Sequence, residues 1–235
     1  MLIFIDTETT GVSQEDRLCS MALVQESKYF YELLNEGKKI PAEASSIHHI
    51  TNEMITSKST FLESEIYKQL QSLNTQENTL VAHNITFDLE KMSLSGFIWK
   101  GAIIDTLRVS KHLIPECEGF SLQLLRYELK LYKQEEQLKA QYGIKDALSA
   151  HNALGDAFVT KLLYNYLLEM VSEEEMQNLS FKEVLLEKFT FGKYKGKYIE
   201  EICMNDLSYA QWLLNVDTTD EDLKYSINYY IQGCL

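Results

Sequence analysis

The stretch that decides the fold is Leu-Ile-Phe-Ile-Asp-Thr-Glu-Thr-Thr-Gly at residues 2–11. Its apolar half, residues 2–5, has the composition of a strand buried on both faces of a sheet. Asp6 and Glu8 follow, and side chains two apart on a strand point to one side, about 6–7 Å from each other. Two like charges there repel and are costly to desolvate, and a divalent cation relieves both costs. The alternative is a solvated strand end with two surface acids.

A second acidic segment is Ala-His-Asn-Ile-Thr-Phe-Asp at residues 82–88. A short apolar strand precedes it, and Asn84 is a good N-cap for a helix that reaches about residue 95. Asn84 and Asp88 are four apart and share a face of that helix, with Phe87 beside them to pack against the site or a nucleotide. The strand would bring Asp88 to the sheet edge that holds the first two acids. The alternative is a surface helix whose first-turn Asp is favoured by the dipole.

The third segment is His-Asn-Ala-Leu-Gly-Asp at residues 151–156, which opens a helix predicted to run to about residue 170. With Asn152 as N-cap, Asp156 lies in the first turn and faces inward. His151 then lies in the loop just outside the helix, and only this placement lets both side chains serve one site. Asp156 suits a metal ligand and His151 a mobile proton carrier. The alternative for His151 is a solvated loop residue.

Together, the three segments resemble the DEDDh family of 3′–5′ exonucleases over roughly residues 1–170. The resemblance implies four carboxylates that hold two divalent cations, Mg²⁺ or Mn²⁺: Asp6, Glu8, Asp88 and Asp156. It implies that His151 is the general base, and that the fold is α/β and ribonuclease H-like, a mixed five-stranded sheet flanked by helices. The family usually has glycine where this chain has His49, in a loop that touches the substrate in relatives.

The implied reaction is hydrolysis of a phosphodiester to release nucleoside 5′-monophosphates. Two cations about 3.5–4 Å apart clamp the attacking and leaving oxygens, and His151 takes the proton of the attacking water. We further expect nucleic-acid contacts from residues beside the motifs and from a basic C-terminal segment: Thr7, Thr9, Thr10, Gly11, Val12, His48, Asn84, Phe87, Lys193, Lys195 and Lys197.

Three functions are compatible with these residues. The leading one is a DNA 3′–5′ exonuclease of the repair or proofreading type, acting on the 3′ end of single-stranded DNA. A DNA polymerase or a repair protein is then a candidate partner. The alternative is an RNA 3′–5′ exonuclease or oligoribonuclease, because the same five residues process RNA in relatives. The third is a catalytically silent nucleic-acid-binding module, against which the intact five-residue set argues.

Composition narrows the setting. The chain has 235 residues, 45% of them apolar, with no apolar run near the length of a membrane span and no basic segment before its first strand. Four scattered cysteines, at 19, 117, 203 and 234, lack the spacing of a zinc site. We therefore expect a cytoplasmic protein with reduced thiols. The net charge of −13 predicts modest, salt-sensitive affinity for nucleic acid rather than tight coating of a duplex.

Between the motifs, the patterns predict antiparallel strands at residues 17–24 and 28–34. Residues 38–51 are predicted as a loop and 61–73 as one helix. Further helices are predicted at 106–113 and 121–131, and residues 134–149 are left unassigned.

The chain is predicted to form two domains, an exonuclease domain at residues 1–172 and a small α+β module at 179–235, joined by a polar seam. The module resembles one attached to some exodeoxyribonuclease X-like proteins. Residues 189–199 predict an aromatic strand, a turn and a second strand or helix start, and helices follow at 208–214 and 220–232.

Lys193, Lys195 and Lys197 occupy every second position there, and no acid falls between Phe189 and Ile199. This pattern favours a segment that binds nucleic acid beside the active site. One alternative is a solvated lysine face over a core of Phe189, Phe191, Tyr198 and Trp212. Another is a docking surface for a protein partner, built from Tyr209, Trp212, Tyr229 and Tyr230.

Overall fold

Strand β1 (Leu2–Thr9) is the central strand of a five-stranded sheet. In the computed structural model, which describes residues 1–233, strands β2 (Leu18–Val24) and β3 (Tyr29–Leu33) extend the sheet antiparallel on one side. Strands β4 (Thr79–Ala82) and β5 (Ala102–Asp105) extend it parallel on the other, in the order β3-β2-β1-β4-β5. The predicted mixed sheet flanked by helices is confirmed.

The chain divides into two units, Met1–Ser180 and Phe181–Leu235. The first unit contains the sheet and nine helices: α1 (Ala42–His48), α2 (Asn52–Ile55), α3 (Glu65–Ser72), α4 (Ile85–Leu94), α5 (Thr106–Leu113), α6 (Leu122–Glu128), α7 (Glu135–Tyr142), α8 (Ala153–Leu168) and α9 (Glu173–Leu179). The described part of the second unit contains α10 (Ile199–Asn205), α11 (Leu207–Leu214) and α12 (Glu221–Gly233). Cys234, which we expected to be a reduced thiol, lies outside the described residues.

The two faces of the sheet carry separate apolar cores because strand side chains alternate. Ile3 and Ile5 of β1 pack into the core beneath α3 and α4. Phe4 packs on the other face against α8, where its ring meets that of Tyr164 edge-on at 5.3 Å. The same alternation assigns Asp6 to the α8 face. No helix among residues 1–233 is long and apolar enough to cross a bilayer.

Several local predictions were wrong. The predicted loop at residues 38–51 contains α1, which begins after Pro41 and buries only Ala44 and His48. So few buried positions leave no apolar periodicity to detect. The predicted helix at 61–73 is broken at Ser64, which ends a 3-10 turn and caps α3 through its hydroxyl.

The unassigned stretch at 134–149 contains α7, and the predicted polar seam forms α9 inside the first unit. Helix α9 begins after the Ser172 cap and buries Met176 and Leu179. The three consecutive glutamates of its first turn made this amphipathic helix look like a polar linker in the sequence. In the described part of the second unit, the predicted aromatic strand does not form. Residues 189–198 instead make a tight loop closed by one antiparallel bridge between Lys188 and Tyr198. The predicted helix start is confirmed, since α10 begins at Ile199.

Candidate metal centre and active site

Three acidic side chains meet at the end of β1. Asp6 and Glu8 project from the strand, and Asp156 projects from the first turn of α8. Ligand oxygens of all three lie within 4.8 Å of one another. Opposite the two strand acids, β2 places Ala22 and Ser20, whose small side chains leave room for the carboxylates. The predicted convergence of β1 and α8 on one site is therefore present.

The electrostatics of this cluster are those of an anionic site that needs a cation. Burial, followed by repulsion from Asp88, Asp156 and Glu8, raises the pKa of Asp6 well above its ordinary value. Burial and repulsion from Asp156 and Asp88 raise the pKa of Glu8 to about 8. Burial raises the pKa of Asp156 to about 6. The three carboxylates repel one another when all are ionised, and their hard oxygen atoms suit a divalent cation.

Asp88, the fourth predicted ligand, lies next to the cluster but outside this tight group. It is buried on α4, and the Thr7 hydroxyl donates a hydrogen bond to its Oδ1 at 2.6 Å. Burial raises the pKa of Asp88 to about 7, while the hydrogen bond from Thr7 opposes that rise. We predicted Thr7 as a nucleic-acid contact. Its buried hydroxyl is instead taken up by Asp88, because Thr7 faces away from Asp6 and Glu8 on the strand.

His151 stands where the sequence placed it, in the loop just before α8. Its side chain is exposed and its backbone has φ of 54°. Its backbone N–H donates a hydrogen bond to the Asp156 carboxylate. Asn152 caps α8 by accepting the Gly155 N–H at 3.2 Å, as predicted. Gly155 itself was overlooked: a Cβ there would lie 2.3 Å from the Ser149 carbonyl, so glycine lets the loop approach the helix.

The loop after β1 borders an open cavity of about 370 Å³ that also reaches α1. Gly11 and the strongly exposed Val12, two of the predicted nucleic-acid contacts, line this cavity. Thr9 and Thr10 also line it, but their hydroxyls donate internally, to the Gly11 carbonyl and to Asp16. Those two hydroxyls therefore stabilise the conformation of the loop.

Asp16 was missed by the sequence analysis. Its buried carboxylate accepts hydrogen bonds from Ser13 and Thr10 and pairs with Lys38 at 2.9 Å, which together hold its pKa well below the usual range despite burial. A Cβ on Gly11 would lie 2.6 Å from this carboxylate.

His48 lies beneath the same loop. It is buried, its Nδ1 accepts the Ile50 N–H at 3.0 Å, and its Nε2 lies 3.2 Å from the Thr9 carbonyl. Since Nδ1 accepts, Nε2 carries the proton and donates. His48, which we predicted as a nucleic-acid contact, thus stabilises the backbone of β1 and has both ring nitrogens occupied.

Asn84 and Phe87 lie at the start of α4. Asn84 is exposed, occupies the N-cap position with φ of 67°, and makes no side-chain capping bond, so the predicted capping role was wrong. Its backbone N–H donates instead to the buried carboxylate of Asp105 at 2.9 Å. Phe87 is half-buried, with the Lys91 ammonium 5.1 Å from its ring centre.

The second unit places its lysines on a loop rather than on a strand. Lys193 pairs with Asp206 at 3.2 Å, whereas Lys195 and Lys197 are exposed. The alternative of a four-aromatic core beneath them was wrong for three members: Phe189 is buried, but Phe191, Tyr198 and Trp212 are 45%, 51% and 57% exposed.

The chain is similar to known proteins along its whole length. A family model for exonucleases matches residues 3–164, and a model for exodeoxyribonuclease X-like C-terminal segments matches residues 189–217. Exodeoxyribonuclease 10 of Escherichia coli K12 is 27% identical over 99% of this chain and 100% of its own length. DNA polymerase III subunit epsilon of Treponema pallidum is 28% identical over 74% of this chain and 77% of its own. The structure of exonuclease X in complex with 5′ overhanging duplex DNA has a TM-score of 0.60 at 24% identity, covering 77% of this chain and 99% of that one.

Proposed function

The chain belongs to the exonuclease family, and from that premise we propose that it is a 3′–5′ exonuclease that hydrolyses DNA from its 3′ end to nucleoside 5′-monophosphates. The observation that carries the proposal is the convergence of Asp6, Glu8 and Asp156, whose ligand oxygens lie within 4.8 Å of one another. Raised carboxyl pKa values and hard oxygen donors support a divalent-cation site there.

We assign two divalent cations, Mg²⁺ or Mn²⁺, to this site. Asp6, Glu8 and Asp156 would hold them directly, and Asp88 would join after a small movement of its carboxylate away from Thr7. Bound cations would supply charge neutralisation at the scissile phosphate and lower the pKa of an attacking water. The protein positions the converging carboxylates on a strand and a helix rather than on mobile loops, and the bound cations would favour their ionised form.

His151 is the proposed general base. Its side chain is exposed at the edge of the site, while its backbone is tethered to Asp156. The imidazole can therefore take a proton from water beside the phosphate while the backbone of His151 stays fixed. Gly11, Val12, Asn84 and Phe87 are the proposed contacts to the terminal nucleotide, of which the first two line the cavity next to β1.

Residues 1–172 are the proposed exonuclease domain, and residues 179–235 a proposed nucleic-acid-binding module. Lys195 and Lys197 are exposed, and the exposed aromatic rings of Phe191 and Trp212 belong to the same unit. Exposed cations and rings together suit single-stranded nucleic acid, whose bases stack on aromatic side chains. Lys193 would contribute less, because Asp206 already neutralises it.

DNA is the proposed substrate because the full-length relative is an exodeoxyribonuclease and a structural neighbour carries DNA. We place the activity in the cytoplasm, in repair or proofreading. A DNA polymerase is a proposed partner, since one relative is a polymerase subunit.

The test is a degradation time course on 5′-labelled and 3′-labelled oligonucleotides of one sequence, as single-stranded DNA, duplex DNA with a 5′ overhang, and RNA. Each substrate is incubated with Mg²⁺, Mn²⁺ or EDTA. We expect a stepwise ladder from the 3′ end of DNA that disappears with EDTA and with Asp6→Ala. Faster degradation of RNA would refute the DNA assignment, and absence of cleavage with metal present would refute the exonuclease assignment.

A further inference from the structure

A chain of hydrogen-bonded polar side chains, buried except for the half-buried Gln123, leads away from the first turn of α8. The Asp156 carboxylate accepts a hydrogen bond from Gln123 Nε2 on α6. Gln123 Oε1 accepts one from Arg126 Nη1 at 3.1 Å. Arg126 forms a forked ion pair with Glu135 on α7, at 2.6 Å from Nε and 2.7 Å from Nη2. Gln123, Arg126 and Glu135 all lie outside the three sequence motifs.

Arg126 decides which way the Gln123 amide points. A guanidinium only donates hydrogen bonds, so Gln123 must turn its oxygen towards Arg126 and its NH₂ group towards Asp156. The ionised Asp156 carboxylate, which only accepts hydrogen bonds, favours the same orientation, and Arg126 adds to it by occupying the amide oxygen. Because the ion pair with Glu135 holds Arg126 in place, Gln123 keeps its NH₂ group towards Asp156.

Arg126 also holds the loop that carries His151. Its Nη2 donates to the Leu148 carbonyl at 2.9 Å, three residues before His151. Arg126 and Glu135 are each only 8% exposed, so water and salt screen their pair weakly. One arginine is therefore joined both to Asp156, through Gln123, and to the loop of the proposed base.

We propose that Gln123 and Arg126 are positioning residues of the exonuclease site. Gln123 holds the Asp156 carboxylate in the orientation that binds the cation, and Arg126 fixes both Gln123 and the His151 loop. This inference rests on the proposed role of Asp156 as a metal ligand. Removing a hydrogen-bond partner of a metal ligand typically costs about 10–100-fold in metal affinity or activity.

The first test is Gln123→Leu in the full-length protein, with Mn²⁺ affinity measured without DNA by electron paramagnetic resonance. We expect about 10-fold weaker Mn²⁺ binding and an exonuclease rate that recovers at high metal concentration. The matched control is Gln177→Leu, since the half-buried Gln177 amide also donates to a carboxylate, that of Glu173 at 3.3 Å. A folded Gln123→Leu protein with Mn²⁺ affinity within about twofold of wild type would overturn the proposal.

The second test keeps the core filled while removing the arginine. The double substitution Arg126→Met and Glu135→Leu replaces a buried ion pair with apolar side chains, an exchange that is often neutral for stability. We expect a cooperative thermal transition near that of wild type, with weaker Mn²⁺ binding and a lower rate at saturating metal. Wild-type binding and rate in this variant would overturn the role of Arg126.

A third variant, Asp156→Asn, separates this inference from the proposed function. If Asp156→Asn binds Mn²⁺ as tightly as wild type, the metal-ligand assignment fails, and the positioning role fails with it. If Asp156→Asn loses binding while Gln123→Leu and the double variant do not, only the positioning role fails.

Discussion

The Thr7 hydroxyl lies 2.6 Å from Asp88 Oδ1, beside the cluster of Asp6, Glu8 and Asp156. Both residues are buried, at 7% and 4% exposure. The hydroxyl therefore supplies a buried carboxylate with a donor that water cannot replace. It favours the ionised form of Asp88 against the burial that raises its pKa to about 7.

Thr7→Val should move the acid limb of the pH–rate profile to higher pH. The change keeps the branched shape of the side chain but removes the donor, so the pKa of Asp88 rises and less of it is ionised at neutral pH. We expect about a fivefold lower rate at pH 7, because a one-unit rise from a pKa of about 7 lowers the ionised fraction there from about one half to about one eleventh, with recovery towards pH 9. Thr7→Ser, which keeps the hydroxyl, is the control. Equal profiles for the Val variant and wild type would contradict this prediction.

Asp6→Asn should abolish exonuclease activity yet stabilise the metal-free protein. A carboxyl whose pKa is raised on folding keeps a proton that the unfolded chain releases. Because burial and the neighbouring carboxylates raise the pKa of Asp6 well above its ordinary value, the metal-free protein loses stability as the pH rises from about 4 towards that raised pKa. In EDTA at pH 8 we expect the free energy of unfolding to increase by about 1–2 kcal/mol, discounted for partial solvent exposure, and by less at pH 5.

Chemical denaturation at the two pH values measures this gain. Asp217→Asn, at an exposed position in the second unit, is the control and should change little. A loss of stability of Asp6→Asn in EDTA at pH 8 would rule out repulsion as the dominant effect at the cluster.

His151→Gln should reduce turnover steeply while leaving metal binding nearly intact. The side chain is exposed, and the bond to Asp156 comes from the backbone, which the substitution retains. We expect the rate to fall by about 10²–10⁴-fold, the usual contribution of a general base. Single-turnover kinetics and Mn²⁺ titration measure the two effects, with His49→Gln as the exposed-histidine control. An unchanged rate would remove His151 from the chemistry.

His49→Gly should stabilise the protein. His49 ends α1 in the left-handed conformation, with φ of 62°. A residue with a Cβ pays a conformational cost there that glycine does not. We expect a gain of about 0.5–1 kcal/mol in the free energy of unfolding. His49→Ala is the control and should show no such gain, and a destabilised glycine variant would show that the His49 side chain stabilises the loop.

Lys195→Gln and Lys197→Gln should each weaken binding of single-stranded DNA and reduce the slope of log affinity against log salt by about 0.7. Both lysines are exposed. Lys100→Gln is the matched control, because Lys100 is exposed just before β5, at the end of the sheet opposite Asp105. Fluorescence anisotropy between 50 and 200 mM salt, a range in which phosphate contacts are strongly weakened, measures the slopes. Identical slopes for all three variants would remove the lysines from the nucleic-acid surface.

Local signals predicted much of the fold and the centre of the site. The apolar run before Asp6 predicted β1, and alternation placed Glu8 beside it. Asn152 predicted the start of α8, and with it the position of Asp156. These predictions succeeded because strand alternation and helix capping depend on neighbours within about four residues.

Longer-range contacts defeated the same reasoning. Nothing within a few residues of Thr7 shows that its hydroxyl meets a carboxylate 81 positions away. Buried His48 resembles a surface histidine in sequence because its partners, the Thr9 carbonyl and the Ile50 N–H, are backbone groups.

The sequence by itself determined the family, the mixed sheet, and the residue types that chemistry at phosphorus requires. The tertiary structure decided which of those side chains converge: three carboxylates meet, Asp88 is held by Thr7, and Gln123 reaches Asp156 from α6. The physical reason is the distance along the chain over which each effect acts. Propensity and periodicity act along a few residues, whereas burial, repulsion and hydrogen-bond direction depend on elements that only folding brings together.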